Sequence, residues 1–210
     1  ISYHLGMDFF RDEDKTLCMA PKKYIDKMLQ NYERTFKSKP QFVTSPIEKG
    51  DNPELDTSEL LDDDQTQNYQ SLIGALQWAV SIGRFDIQTA VMSMSSFHAA
   101  PRIGHLKRVK RIFGYLAKMN EATIRVRTEI PDYSDLPEPH YDWSRSVYGI
   151  VTEDIPLDAP KPLGKVVRFT HFVDANLMHD VLTGKSVTGI LHLANQTPID
   201  WYSKKQATVE

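Results

Sequence analysis

Cysteine is almost missing from this sequence: Cys18 is the only one in 210 residues. No intramolecular disulfide can form, which excludes a secreted, disulfide-stapled fold and points to a reducing, intracellular compartment. Long apolar runs are missing too. None approaches the ~20 residues needed to cross a bilayer, and the start has no signal-peptide character. No internal repeat or low-complexity tract is present. The chain opens on Ile1 rather than Met, as a fragment would. No Gly-x-Ser-x-Gly elbow offers a nucleophile. Gly184-Lys185-Ser186 ends like a phosphate-cradling loop, yet His179 stands where that loop needs its first glycine. His171, His179 and His192 form no zinc-ligand spacing.

What is present is enough for a folded core. With 40% hydrophobic and 25% charged residues, the chain can build one or two domains. Residues 69–119 organise it. Leu72, Ile73, Leu76, Ala79 and Val80 recur at spacings of three and four, the apolar stripe of a helix. After a break at 81–83, Ile87, Ala90, Val91, Met94 and Phe97 form a second stripe that stops before Pro101. Leu106, Val109, Ile112, Phe113 and Leu116 form a third.

The net charge of -3 hides a segregation. From Ile87 to Asn120 there is no Asp or Glu, and the third helix carries Lys107, Arg108, Lys110, Arg111 and Lys118 opposite its apolar stripe. Such a face has little internal pairing and would attract polyanions by counterion release. A solvated face that keeps the helix soluble explains the charge equally well. Directly upstream, residues 48–64 hold eight acids and one lysine, and read as a mobile loop. Its last three, Asp62, Asp63 and Asp64, suit the positive end of the following helix better than a metal, since adjacent residues there point in different directions.

The ends of the chain read as strands. Residues 3–10 and 16–20 predict a hairpin across the polar turn 11–15, followed by a helix from Pro21 in which Ile25, Met28, Leu29 and Tyr32 share a side. Half of the twelve prolines fall between Asn120 and Lys165, marking a connector. Its pieces 141–143 and 147–151 are apolar enough to dock on a neighbour. Three antiparallel strands are expected over 166–173, 187–193 and 198–202, with a turn at Asn195-Gln196. Trp78, Trp143 and Trp201 stand alone in apolar patterns and read as core or domain-contact residues, not base-stacking platforms.

Several stretches carry a family resemblance. Tyr69-Gln70-Ser71-Leu72-Ile73-Gly74-Ala75-Leu76-Gln77-Trp78-Ala79 and Arg111-Ile112-Phe113-Gly114-Tyr115-Leu116 resemble copia-type retrotransposon Pol polyproteins just after the reverse transcriptase palm. Arg84-Phe85-Asp86 stands where most members have Arg-Pro-Asp. Tyr3-His4-Leu5-Gly6-Met7 and Tyr24-Ile25-Asp26-Lys27-Met28-Leu29 resemble the palm-to-thumb passage, where a hairpin grips the primer end. Phe172-Val173-Asp174-Ala175-Asn176 and Ile199-Asp200-Trp201-Tyr202-Ser203-Lys204-Lys205-Gln206 are similar to the opening of the family's RNase H domain. Asn176, Leu177 and Asp200 depart from its usual wording.

The resemblance implies an α+β chain in three parts. Residues 1–119 would hold the end of the palm and a thumb-like helical bundle, 120–165 the connector, and 166–210 the first three antiparallel strands of an incomplete RNase H-like domain. It implies an RNA template, a DNA primer and an RNA–DNA hybrid as partners, no membrane, and the rest of the Pol polyprotein beside it. The setting would be a cytoplasmic virus-like particle or the nucleus. Asp174 would be a catalytic, metal-binding carboxylate for Mg2+, one of several needed to hold two ions about 3.5 to 4 Å apart. Glu210 falls short of the register of the next one. The family's Tyr-x-Asp-Asp turn does not occur here, so the chain alone would be inactive as a polymerase and as a nuclease. The other functional classes are a non-catalytic nucleic-acid-binding remnant and a degenerate gene product.

Overall fold

Leu5 and Gly6 both take positive φ, 51° and 93°, and so fold the N-terminal stretch back on itself. Two such residues make the tight turn whose twist matches a hairpin, and only a glycine adopts the second without strain. The single strand expected over 3–10 is therefore two, β1 (Ser2–His4) and β2 (Met7–Arg11), with His4 opposite Met7. A second turn follows as expected, held by the Asp12 carboxylate accepting from Thr16 N at 3.0 Å. It leads into β3 (Leu17–Ala20). This computed structural model describes residues 2–135, 142–150, 156–177 and 179–207.

Pro21 precedes α1 (Lys22–Phe36), which runs one turn past the apolar repeat and ends at Lys37 in a left-handed conformation. The three helices read from residues 69–119 are all present. They are α2 (Asp63–Ser81), α3 (Gln88–Ser95) and α4 (Ile103–Lys118). Asp62 caps α2 as its position predicts: its carboxylate accepts from Gln65 N at 2.8 Å, and the Gln65 side chain reaches back to the cap. In the break between α2 and α3, Arg84 is 1% exposed and makes a two-pronged pair with Asp86, at 2.9 and 2.7 Å.

The predicted stripes meet in one core. Ile25, Met28 and Tyr32 of α1, Ile73 and Leu76 of α2, Val91 and Met94 of α3, and Val109, Ile112, Phe113 and Leu116 of α4 are all buried together. Polar tips inside it find carbonyls: Tyr69 donates to Met94 O at 2.7 Å and Tyr24 to Ala75 O at 3.0 Å.

The segment after α4 contributes β4 (Ile124–Arg125), which closes the first sheet in the order β1-β2-β3-β4. The second sheet is the expected antiparallel set: β5 (Phe169–Asn176), β6 (Val187–Ala194) and β7 (Thr197–Lys205), with Asn195 at φ 52° in the last turn. β7 leans on the helical body. Trp201 donates from Nε1 to Val80 O at 3.0 Å and its ring lies 5.1 Å from that of Phe85. With its carboxamide oxygen turned toward β7, Gln88 accepts from Ser203 N at 2.6 Å. The architecture is α+β with antiparallel sheets.

Four expectations need correction. Trp78 is 46% exposed, because it lies off the α2 stripe, and is no core residue. Residues 147–150 do not dock: Val147 is 96% exposed, as the piece forms a turn closed on itself by Gly149 N to Ser146 O. Tyr141, Val151 and the Trp143 side chain lie outside the described residues, as do Pro137, Pro139 and Glu210. The acidic loop is not free. It is pinned along α4, and that pinning takes Arg108 out of the unpaired basic face, as described next.

Candidate nucleic-acid interface

α4 has no acid of its own, so its cations must find partners elsewhere or face water. The acidic stretch supplies them for one. Arg108 donates from Nε and Nη2 to the two oxygens of Asp51 at 2.7 and 2.6 Å, and from Nη1 to Asp56 at 2.6 Å. A planar fork holding two carboxylates is a strong, shape-specific arrangement. Its effects on ionisation agree. The hydrogen bonding to the Asp51 carboxylate leads in raising the Arg108 pKa. Burial opposes ionisation of Asp56, but hydrogen bonds from Ser58 and Arg108 outweigh it and bring the pKa down to about 2.

Further contacts fix the same loop to the start of α4. His105 accepts from Arg102 N at Nδ1, 3.1 Å away, and its Nε2 meets Pro53 O at 3.0 Å. Burial lowers the His105 pKa, consistent with a neutral ring that accepts on one nitrogen and donates from the other. Gly104 N donates to Ser58 Oγ at 2.8 Å.

Three further cations of α4 face a groove of about 660 Å³ between the helix and residues 38–58. Lys107, Lys110 and Arg111 line it with Arg108, joined by Lys39 from the opposite wall. Lys107 and Lys39 are exposed. Lys110 lies 3.9 Å above the Phe36 ring centroid, and burial lowers its pKa. Arg111 donates to Ser45 O at 3.1 Å. These five cations outnumber Glu48, Asp51 and Asp56 in the lining.

Lys118 is exposed on the same helical stripe, eleven residues beyond Lys107, which is about 16 Å along the axis. Between them the strand of chain at residue 41 crosses α4 so closely that a Cβ on Gly114 would overlap the Gln41 carbonyl oxygen. Four of the five predicted basic residues are thus brought together, and Lys118 is separated from them. Lys39 was missed. It lies beyond the left-handed end of α1, and nothing local in the sequence ties it to α4.

Asp174 sits within β5, opposite Gly189, and is exposed. Asp180, six residues on, is buried and committed to structure. It pairs with Lys205 at 2.5 Å and accepts from Leu182 N and Thr183 N at 3.1 and 3.0 Å. Burial works against its ionisation, yet the Lys205 and Thr183 hydrogen bonds prevail and lower its pKa to about 2. Among the described residues no three His, Cys, Asp or Glu side chains come together as a metal-ligand set. Asp174 alone would supply one of the several carboxylates that a two-magnesium centre needs. No described helix is long and apolar enough to cross a membrane.

No family model matches the sequence, and no solved structure matches it. Over 134 residues it is 28% identical to a Saccharomyces cerevisiae protein named "Putative transposon Ty5-1 protein". The chain is similar to a transposon protein. The match covers 59% of this chain and 39% of that relative, so the chain spans well under half of the relative's length.

Proposed function

We propose that this chain is part of a copia-type retrotransposon Pol polyprotein, at the passage from reverse transcriptase to RNase H, and that its own task is to hold nucleic-acid backbone. The parent would copy an RNA template from a DNA primer and hydrolyse RNA in the hybrid, using Mg2+ on Asp174 together with carboxylates beyond those described. It would work in a cytoplasmic virus-like particle or in the nucleus. In this reading residues 1–119 are palm end and thumb, 120–165 connector and 166–210 the start of RNase H, with Asp174 as its first carboxylate.

The observation that carries the binding role is the groove in which Lys39, Lys107, Lys110 and Arg111 converge. Phosphate oxygens are the anions such a groove suits, because several point charges along an open channel track a repeating backbone without reading sequence. Arg108 is not counted, since two carboxylates already hold it. A non-catalytic remnant would use the same groove.

Fluorescence anisotropy with a labelled RNA–DNA hybrid over a salt series tests the role. Binding should weaken as salt rises. The triple variant K107Q/K110Q/R111Q should bind less tightly, and its log–log salt slope should flatten by roughly 0.9 for each phosphate that is no longer neutralised. An unchanged slope and affinity would remove the groove from the binding surface.

A further inference from the structure

In the second sheet, register brings together two histidines that sequence spacing keeps 21 residues apart. His171 of β5 lies directly opposite His192 of β6, and Asp200 of β7 lies directly opposite His192 on its other side. Directly opposed residues of antiparallel strands share a face, with Cβ atoms about 4.5 to 5.5 Å apart. The two imidazoles meet edge to face with centroids 4.6 Å apart, and their Nδ1 atoms are in direct contact. The row stands on the side of the sheet away from Trp201, where His171 and Asp200 are exposed and His192 is half-buried.

Two Nδ1 atoms in contact can share only one proton, so one ring must donate while the other accepts. A divalent transition ion removes that restriction by accepting from both neutral rings. Zinc binds histidine nitrogen at about 2.0 to 2.1 Å with tetrahedral angles, so two ligating nitrogens stand roughly 3.4 Å apart. A small outward rotation of two surface rings reaches that spacing. We propose that His171 and His192 form a surface two-histidine site for a divalent ion of the zinc or copper type, with water completing the coordination. Asp200 borders it and supplies negative charge beside the cation. The site needs nothing from the nucleic-acid groove and does not depend on that reading.

The test is calorimetric titration of the full chain with zinc sulfate near neutral pH. One ion should bind per chain, and H171A and H192A should each weaken binding by roughly tenfold or more, as loss of one of two protein ligands requires. Ring resonances in the unaltered chain give a measurement that needs no variant. Zinc should shift the signals of His171 and His192 and leave the other five histidines in place. Absence of binding, binding that both variants retain, or shifts confined to other histidines would each overturn the site.

Discussion

Ile73, Leu76, Val109, Ile112 and Leu116 are sealed between helices, whereas Phe169, Phe172 and Val173 of β5 stand largely in solvent, Val173 at 67% exposure. The two regions are comparable in apolar content but differ in how an element spends it. A helix has one apolar stripe, and four helices turned inward close a core by themselves. A three-stranded sheet has two faces and two edges. Among the described residues β7 meets Gln88 of α3, Val80 and the Phe85 turn, Tyr133 stands edge-on to Phe172, and Asn195 and Thr197 are tied to residues 127 and 128, which leaves most of β5 uncovered. The lesson is that local pattern makes an element, while burial depends on what is placed against it.

The sharpest way to break the contrast is a pair of truncations. F113A empties the centre of the bundle, where the ring stacks 5.1 Å from Tyr32, and should cost about 3 to 5 kcal/mol. V173A should stay within about 0.5 kcal/mol, as surface changes do. Urea midpoints compare them directly, and similar losses would erase the distinction between regions.

A smaller effect tests the joint. W201A removes the hydrogen bond to Val80 O and the packing against Phe85, and should cost roughly 2 to 3 kcal/mol of docking. Hydrogen exchange should quicken in β6 and β7 while α4 keeps its protection. Uniform quickening along the chain would mean that sheet and bundle unfold as one.

The smallest effect concerns a second respect in which the regions are alike. Asp56 in the helical body and Asp180 in the sheet both have folded pKa values near 2, below the unfolded value of about 3.9. Their stabilisation is therefore whole above about pH 4 and lost as pH falls toward 2. Discounted for partial solvent screening, each contributes about 1 kcal/mol. D56N and D180N should each flatten the fall of stability between about pH 5 and 2. Unaltered acid titrations would show that neither ion pair matters to folding.

The helices were legible because a period of 3.6 repeats several times in each, and Asp62 with Gln65 announces the cap of α2. The second sheet was legible from its strand-forming runs. The rest depended on partners distant in sequence. Arg108 meets Asp51 and Asp56 across 57 and 52 residues, and no local signal says which acid a cation will find. β4 is only Ile124 and Arg125, too short for any period. The turn at Leu5-Gly6 was hidden because leucine is a poor predictor of positive φ. Of the candidate groove, the α4 cations were readable from charge alone, while Lys39 and the crossing over Gly114 exist only in three dimensions.

The two-residue strand β4 has a consequence for synthesis. Cys18 and Met19 acquire their last neighbours from Arg125 and Ile124, so this edge of the first sheet stays unpaired until synthesis has passed Arg125. Emerging from a ribosome, β1, β2, β3 and α1 would wait with that edge open, and long-range pairing of this kind closes slowly. Completion of β4 then acts as a latch. It ties β3 to the segment after α4 before the second sheet is translated, so the helical body offers a finished surface when β7 arrives.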